Sequence, residues 1–237
     1  MKKKSLLVVI IAIVVVAAAA VATWILWPVS VQEKEKEDQQ EQKEDQECQG
    51  GDEENAPLKP VIYLYPSDTM DVTVKLDFDG TLAVTYPSYE DGWSVTASPD
   101  GTLINHGDGR EYSYLFWEGH SNAAYDLSSG FVVPRDSVES FLQEKLAYMG
   151  LLPHEYNEFI VYWLPQMQSD PYYLITFQGD AYTQMAKLTV TPQPDSILRV
   201  FMTVQGLDKP IDIPTQTLQP FERSGFTLIE WGGDLMG

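Results

Sequence analysis

The chain has 237 residues, with 35 acidic against 15 basic side chains and a formal net charge of −20. That balance opposes binding to nucleic acid or to an anionic bilayer surface and favours cationic partners, divalent ions or plain solubility. Its single cysteine, Cys48, excludes an intramolecular disulfide, so the folded part must hold together by packing alone.

Three lysines, Lys2 to Lys4, precede 22 uncharged residues from Leu6 to Trp27. As a helix this run would be about 33 Å long, enough to cross a hydrocarbon core of about 30 Å. Trp24 and Trp27 fall at its far end, where indole rings favour the headgroup region, and the lysines predict a cytoplasmic 1–5. Cleavage after Ala20-Val21-Ala22, as in a secretory signal, is the competing reading. The apolar run continues past that point to Trp27, which favours an uncleaved single-pass anchor over 6–27. Cys48 lies too far beyond the run for lipoprotein processing. Either way the remainder is expected outside the cytoplasm.

Residues 28–59 have the composition of a tether. From Glu33 to Glu54 there are eleven acids and three lysines, and Gln32 to Asn55 contains no large apolar residue. Such a stretch cannot bury a core. Glu33, Glu37, Glu41 and Asp45 stand four apart, so their repulsion weakens a helix and predicts an extended acidic linker. It reads as a stalk or simply as a solubilising spacer.

The 60–237 stretch keeps a net charge of about −16 and is long enough for a substantial core. Strands are predicted at 61–65 and at 72–78, where Val72, Val74, Leu76 and Phe78 alternate with polar residues. Asp79-Gly80 reads as a hairpin turn leading to a return strand at 82–86. Strands at 93–97, 102–105 and 112–117 follow, separated by turns at Pro99-Asp100-Gly101 and Asp108-Gly109. Residues 60–118 thus read as an antiparallel β meander. From 119 the chain becomes mixed. Val138, Phe141, Leu142, Leu146 and Met149 share one helical face, with Asp136 or Ser137 as the cap and Gly150 as the stop. One further turn is predicted at 153–157. The β-branched and aromatic run from Phe159 to Leu164 is predicted as a strand. More strands are expected at 173–177, 187–191, 197–204 and 226–231, with an irregular Pro-rich connection over 210–220. The fold class is therefore α+β, antiparallel and β-rich, with one main helix.

Several strings, KPVIYLYP from Lys59, YLFWEG from Tyr114, EYNEFIVYWLPQM from Glu155, LRVFM from Leu198 and GFTLIEWGG from Gly225, resemble a family of uncharacterised secreted or membrane-anchored proteins of Gram-positive gut bacteria. The likeness covers nearly all of residues 59–233. It implies a shared extracytoplasmic domain and transfers no activity, ligand or catalytic residue.

Chemical motifs are sparse. His154-Glu155 with Glu158 begins like a zinc-protease helix, but a glutamate stands where the second histidine must lie. Asp77-x-Asp79-Gly80 is a fragment of a calcium loop without the distal glutamate; a turn is its simpler role, and weak calcium binding stays open. Neither Ser129-Gly130 nor Ser224-Gly225 completes a nucleophile elbow, and no Gly-rich loop with a lysine offers a phosphate cradle. No catalytic residue, metal ligand set or cofactor is assigned. Glu118, Asp126, Glu158 and Glu230 lie near aromatic residues, and a glycosidase needs only two suitably spaced acids. The aromatic crowding of 63–117 is more suggestive, with one face of the 112–117 strand buried and the other free to stack on sugar rings or to be covered by the helix. Trp93, Tyr114, Trp117, Glu118 and His120 are the expected ligand-binding residues. The expected function is a membrane-anchored binding or interaction domain at the cell envelope, with a glycan or another envelope protein as partner. The alternatives are an acid–base hydrolase of envelope polysaccharide and a structural partner of another membrane protein.

Overall fold

The computed structural model describes residues 59–121 and 124–236. The expected cytoplasmic segment, membrane span and acidic linker lie outside the described residues. Among those described, no helix is long and apolar enough to cross a membrane. The described residues belong to one compact unit.

The first strand, β1 (Val61–Tyr65), sets the plan, because successive side chains of a strand point to opposite faces. Val61 and Tyr63 join one core cluster and Ile62 and Leu64 another, so the strand is buried on both sides. In chain order there follow β2 (Met70–Phe78), β3 (Thr81–Tyr86), β4 (Trp93–Ala97), β5 (Leu103–Asn105), β6 (Glu111–Tyr112), β7 (Leu115–His120) and β8 (Phe131–Pro134). Next come helices α1 (Val138–Met149) and α2 (Pro153–Trp163), strand β9 (Tyr172–Gln178), short helix α3 (Asp180–Met185), and strands β10 (Ala186–Thr191), β11 (Ser196–Leu207) and β12 (Thr227–Met236).

These strands form a seven-stranded sheet in the order β3-β7-β1-β12-β11-β9-β8 and a five-stranded sheet in the order β10-β2-β4-β5-β6. All named pairs are antiparallel except β11 with β12. The larger sheet is the middle of three layers. On one face Ile62, Leu64, Leu115, Trp117 and Phe201 pack with Val72, Val74, Trp93 and Val95 of the smaller sheet. On the other, Tyr63, Met202, Ile229 and Trp231 pack with Leu142 and Leu146 of α1 and Phe159 and Trp163 of α2. Both sheets take strands from before and after residue 118.

The α+β class and most strands follow the pattern of apolar alternation, and three local expectations are corrected. First, there are two main helices, not one: Phe159–Trp163 lies within α2. Pro153 stands at its first turn, and the Leu152 N–H donates to Glu155 Oε2 at 2.7 Å, so one of the unpaired amides of the helix start is satisfied locally. Second, Asp79-Gly80 is a corner, not a hairpin turn, because β2 and β3 belong to different sheets. Gly80 is needed there: a Cβ would come within 2.3 Å of the His120 carbonyl oxygen. Third, the 112–117 strand is interrupted at Ser113-Tyr114, where the chain passes from the smaller sheet to the larger.

Helix α1 forms as the periodicity predicts, with Val138, Leu142, Leu146 and Met149 buried. A 3-10 turn at Arg135–Ser137 leads into it, and no side chain caps it. Gly150, at φ 106°, ends it in the left-handed conformation. The Pro-rich connection over 210–220 is irregular apart from a parallel bridge between Thr215 and Gly130, and Gln216 exchanges hydrogen bonds with the Phe177 backbone at 2.9 and 2.7 Å.

Candidate binding groove

The helix-side face of the large sheet is not fully covered. Beyond α2, toward edge strand β3, an open groove of about 660 Å³ remains. Its floor is Val61 of β1, Phe116 of β7 and Trp231 of β12, three residues in register across neighbouring strands. Tyr86, 58% exposed at the end of β3, and Tyr114, just before β7, make one wall. Glu158, Val161 and Tyr162 of α2 make the other, and Lys59 enters from the start of β1.

These side chains are held by one another. The Tyr63 hydroxyl donates to Glu158 Oε2 at 2.6 Å, which fixes the carboxylate at the groove wall. Burial, then that contact, pushes the Tyr63 phenol well above its usual range. Tyr114 meets Tyr63 edge to face at 5.5 Å, and Tyr86 meets Tyr112 in the same way at 4.9 Å. Burial raises the Tyr114 and Tyr162 phenols too, so both stay neutral hydrogen-bonding groups. The Lys59 ammonium lies 3.7 Å from the ring centre of Tyr162 and 5.8 Å from that of Phe116. Its pKa is lowered by burial, against the upward pull of Glu118 and Glu158.

Behind the groove, the start of α2 is clamped to the rest of the fold. Arg223 binds Glu155 with both guanidinium Nη atoms, the Nη1 contact at 3.0 Å, and donates from Nη2 to the Gly150 carbonyl at 3.0 Å. The Tyr65 hydroxyl and His154 Nε2 are hydrogen-bonded at 2.8 Å. His154 Nε2 also lies 3.9 Å from Glu155 Oε1, but Glu158 is turned to Tyr63, so the three do not form one set. Among the described residues, no group of three or more His, Cys, Asp or Glu is placed to hold a metal ion.

Of the five expected ligand-binding residues, Tyr114 lines the groove and Glu118 lies near enough to act on Lys59 and Tyr162. Trp93 and Trp117 fill the space between the two sheets and are fully buried. His120 ends β7 and acts on the carboxyl of Asp234 in β12. Of the other candidate acids, Glu230 is buried in an ion pair with Arg199, its cross-strand neighbour, whereas Asp126 is exposed in a turn with Ser128. Glu158 remains, opposite the aromatic wall. The groove residues left outside the expected set are Lys59, Tyr86, Phe116, Tyr162 and Trp231, with the apolar Val61 and Val161. For Tyr162 and Trp231 a signal was present, in the helical spacing of Glu158 and Tyr162 and in the aromatic strand near the C-terminus.

The chain belongs to an uncharacterised protein family, here with a mixed α+β fold of mostly antiparallel sheets. Membership is shown by an uncharacterized protein in the bglA 3′ region of Butyrivibrio fibrisolvens, 44% identical over 75 residues. The match spans 30% of this chain and 72% of that protein. No family model and no solved structure matches the chain.

Proposed function

We propose that the 60–237 domain binds a glycan of the cell envelope in the groove between β3, β7 and α2, and that Leu6–Trp27 anchors it to the membrane with the domain outside. The observation that carries this reading is the groove itself. It is open, floored and walled by aromatic rings, and provided with a carboxylate held in place by Tyr63. Binding sites combine apolar and aromatic lining with a few fixed polar groups in this way, and sugar rings offer both an apolar face and hydroxyl donors. The uncharged run from Leu6 to Trp27 behind three lysines supports the location.

The test is retention of the compact unit, residues 54–237, on isolated cell walls and on purified wall polysaccharides. Retention that Tyr86→Ala lowers about tenfold, as the loss of one stacking ring implies, supports the reading. Retention by an envelope protein alone, with no glycan bound, would replace it with a protein-interaction role. New reducing ends on the retained polysaccharide would turn the groove into the site of an acid–base hydrolase built on Glu118 and Glu158.

A further inference from the structure

Charge within the groove narrows the ligand class. Lys59 is the one basic residue among the described groove-lining residues, and its ammonium is already engaged. It sits on the Tyr162 ring, close to the Phe116 ring, with Glu118 and Glu158 both acting on it. An acidic sugar would have to pull that ammonium off the ring and bring its own carboxylate up to Glu158. Around the site, the 60–237 stretch carries a net charge of about −16, so the longer-range field also repels anions. A free cation fares little better, because Lys59 occupies the aromatic face and draws on the two carboxylates that would attract it.

The remaining groups suit an uncharged ring. A carboxylate has about four acceptor positions, and the Tyr63 hydroxyl takes one of those on Glu158, leaving capacity for hydroxyl donors. The phenols of Tyr86, Tyr114 and Tyr162 both donate and accept, and the ring faces of Tyr86 and Tyr114 offer apolar contact for pyranose C–H groups. We infer that the groove selects uncharged polysaccharide, bound by stacking on Tyr86 and Tyr114 with sugar hydroxyls donating to Glu158, and excludes acidic glycans. This rests on the glycan-binding reading above.

Affinity electrophoresis of the full-length chain in non-ionic detergent tests it. The gels contain neutral glucans, mannan, galactan and xylan, acidic polygalacturonate and alginate, or cationic chitosan. Expected is retardation by at least one neutral polymer and by neither acidic one, changing less than about twofold between 50 and 500 mM NaCl because no ion pair forms. Glu158→Gln should weaken the neutral interaction about tenfold, the ratio for losing one charge-assisted hydrogen bond, with the thermal midpoint of the variant reported beside it. Retardation by the acidic polymers alone, strengthened by Glu158→Gln, would overturn the selectivity and leave glycan binding standing. Retardation by chitosan alone, abolished by salt, would do the same. No retardation by any polymer would overturn both.

Discussion

Glu155 is a fully buried carboxylate whose two oxygens have fixed duties, since Oε2 accepts from the Leu152 amide and both oxygens accept from Arg223. Removing one partner of a buried ion pair leaves an uncompensated charge, which costs far more than the pair's net worth. Arg223→Ala is therefore expected to lower unfolding free energy by about 3 kcal/mol, read by urea denaturation, and to loosen the start of α2. Asp234 shows the opposite problem. Burial raises its carboxyl to about 6, although Tyr125 and His120 both favour the charged form. Between pH 4 and 6 the folded state then holds a proton that the unfolded chain has released, so this residue's contribution to stability falls as pH rises through that window and is flat above it. The loss is on the order of 2 kcal/mol. The exposed carboxyls of Asp100, Asp108 and Asp126 are held below their usual range by hydrogen bonds from the Thr102 backbone, the Tyr112 hydroxyl and the Ser128 hydroxyl, and they act in the reverse sense. The difference between wild type and Asp234→Asn, measured by denaturation from pH 4 to 7, isolates the Asp234 slope; equal slopes would refute it. At this scale little of the site was legible. In β7, Phe116 shares its half-exposed face with Glu118 and His120 whereas Trp117 lies on the face buried between the sheets, so the alternation marked the two sides. That α2 leaves the Phe116 side open as a groove depends on tertiary packing and was not legible.

Helix α2 decides both the groove and the main misreading of the sequence. Phe159, Ile160, Val161, Tyr162 and Trp163 are strand-prone by type, yet Phe159, Ile160 and Trp163 are buried together on one helical face while Val161 is 74% exposed. Packing against the sheet outweighs their intrinsic preference, as it does for most helices of this length. The signs that favour a helix, Pro153 at its first turn and Glu155 bonded back to the Leu152 amide, sit six and four residues before the misleading run. Strands were easier: β2 and β4 carry an alternation that survives without tertiary information, and β11 a short β-prone run, Val200–Val204, buried on both sides. The pairing of β2 with β10 and of β1 with β12 was not legible, because it depends on contacts more than a hundred residues apart. The outward face of α2 gives a prediction of its own. Val161→Glu should leave stability within about 0.5 kcal/mol, since the side chain is solvated, while replacing apolar surface of the groove wall with a strongly hydrated carboxylate that a sugar ring would have to desolvate. Thermal unfolding should be unchanged and polysaccharide retention reduced; undiminished retention would remove α2 from the binding surface.

At the scale of the whole domain, the decisive strand is β12. It lies fourth of seven, with β3-β7-β1 on one side and β11-β9-β8 on the other, and it is the sole link between the two groups within that sheet. Eight of its ten residues are buried. Ending the chain after Phe226 is expected to abolish cooperative unfolding and chemical-shift dispersion, whereas removing residues 1–53, which precede every strand of this sheet, should leave a folded core. A well-dispersed spectrum from the shortened chain would show that the halves hold together without β12. Synthesis runs from the N-terminus, so the ribosome delivers this keystone strand after every other strand of the sheet. Until it emerges, the nascent chain carries two open sheet fragments whose inner edges, on β1 and β11, have no partner. The domain therefore has to close after translation of Thr227–Met236 rather than during it, and a stalled or truncated chain presents two unpaired apolar edges to proteases, chaperones and other copies of itself.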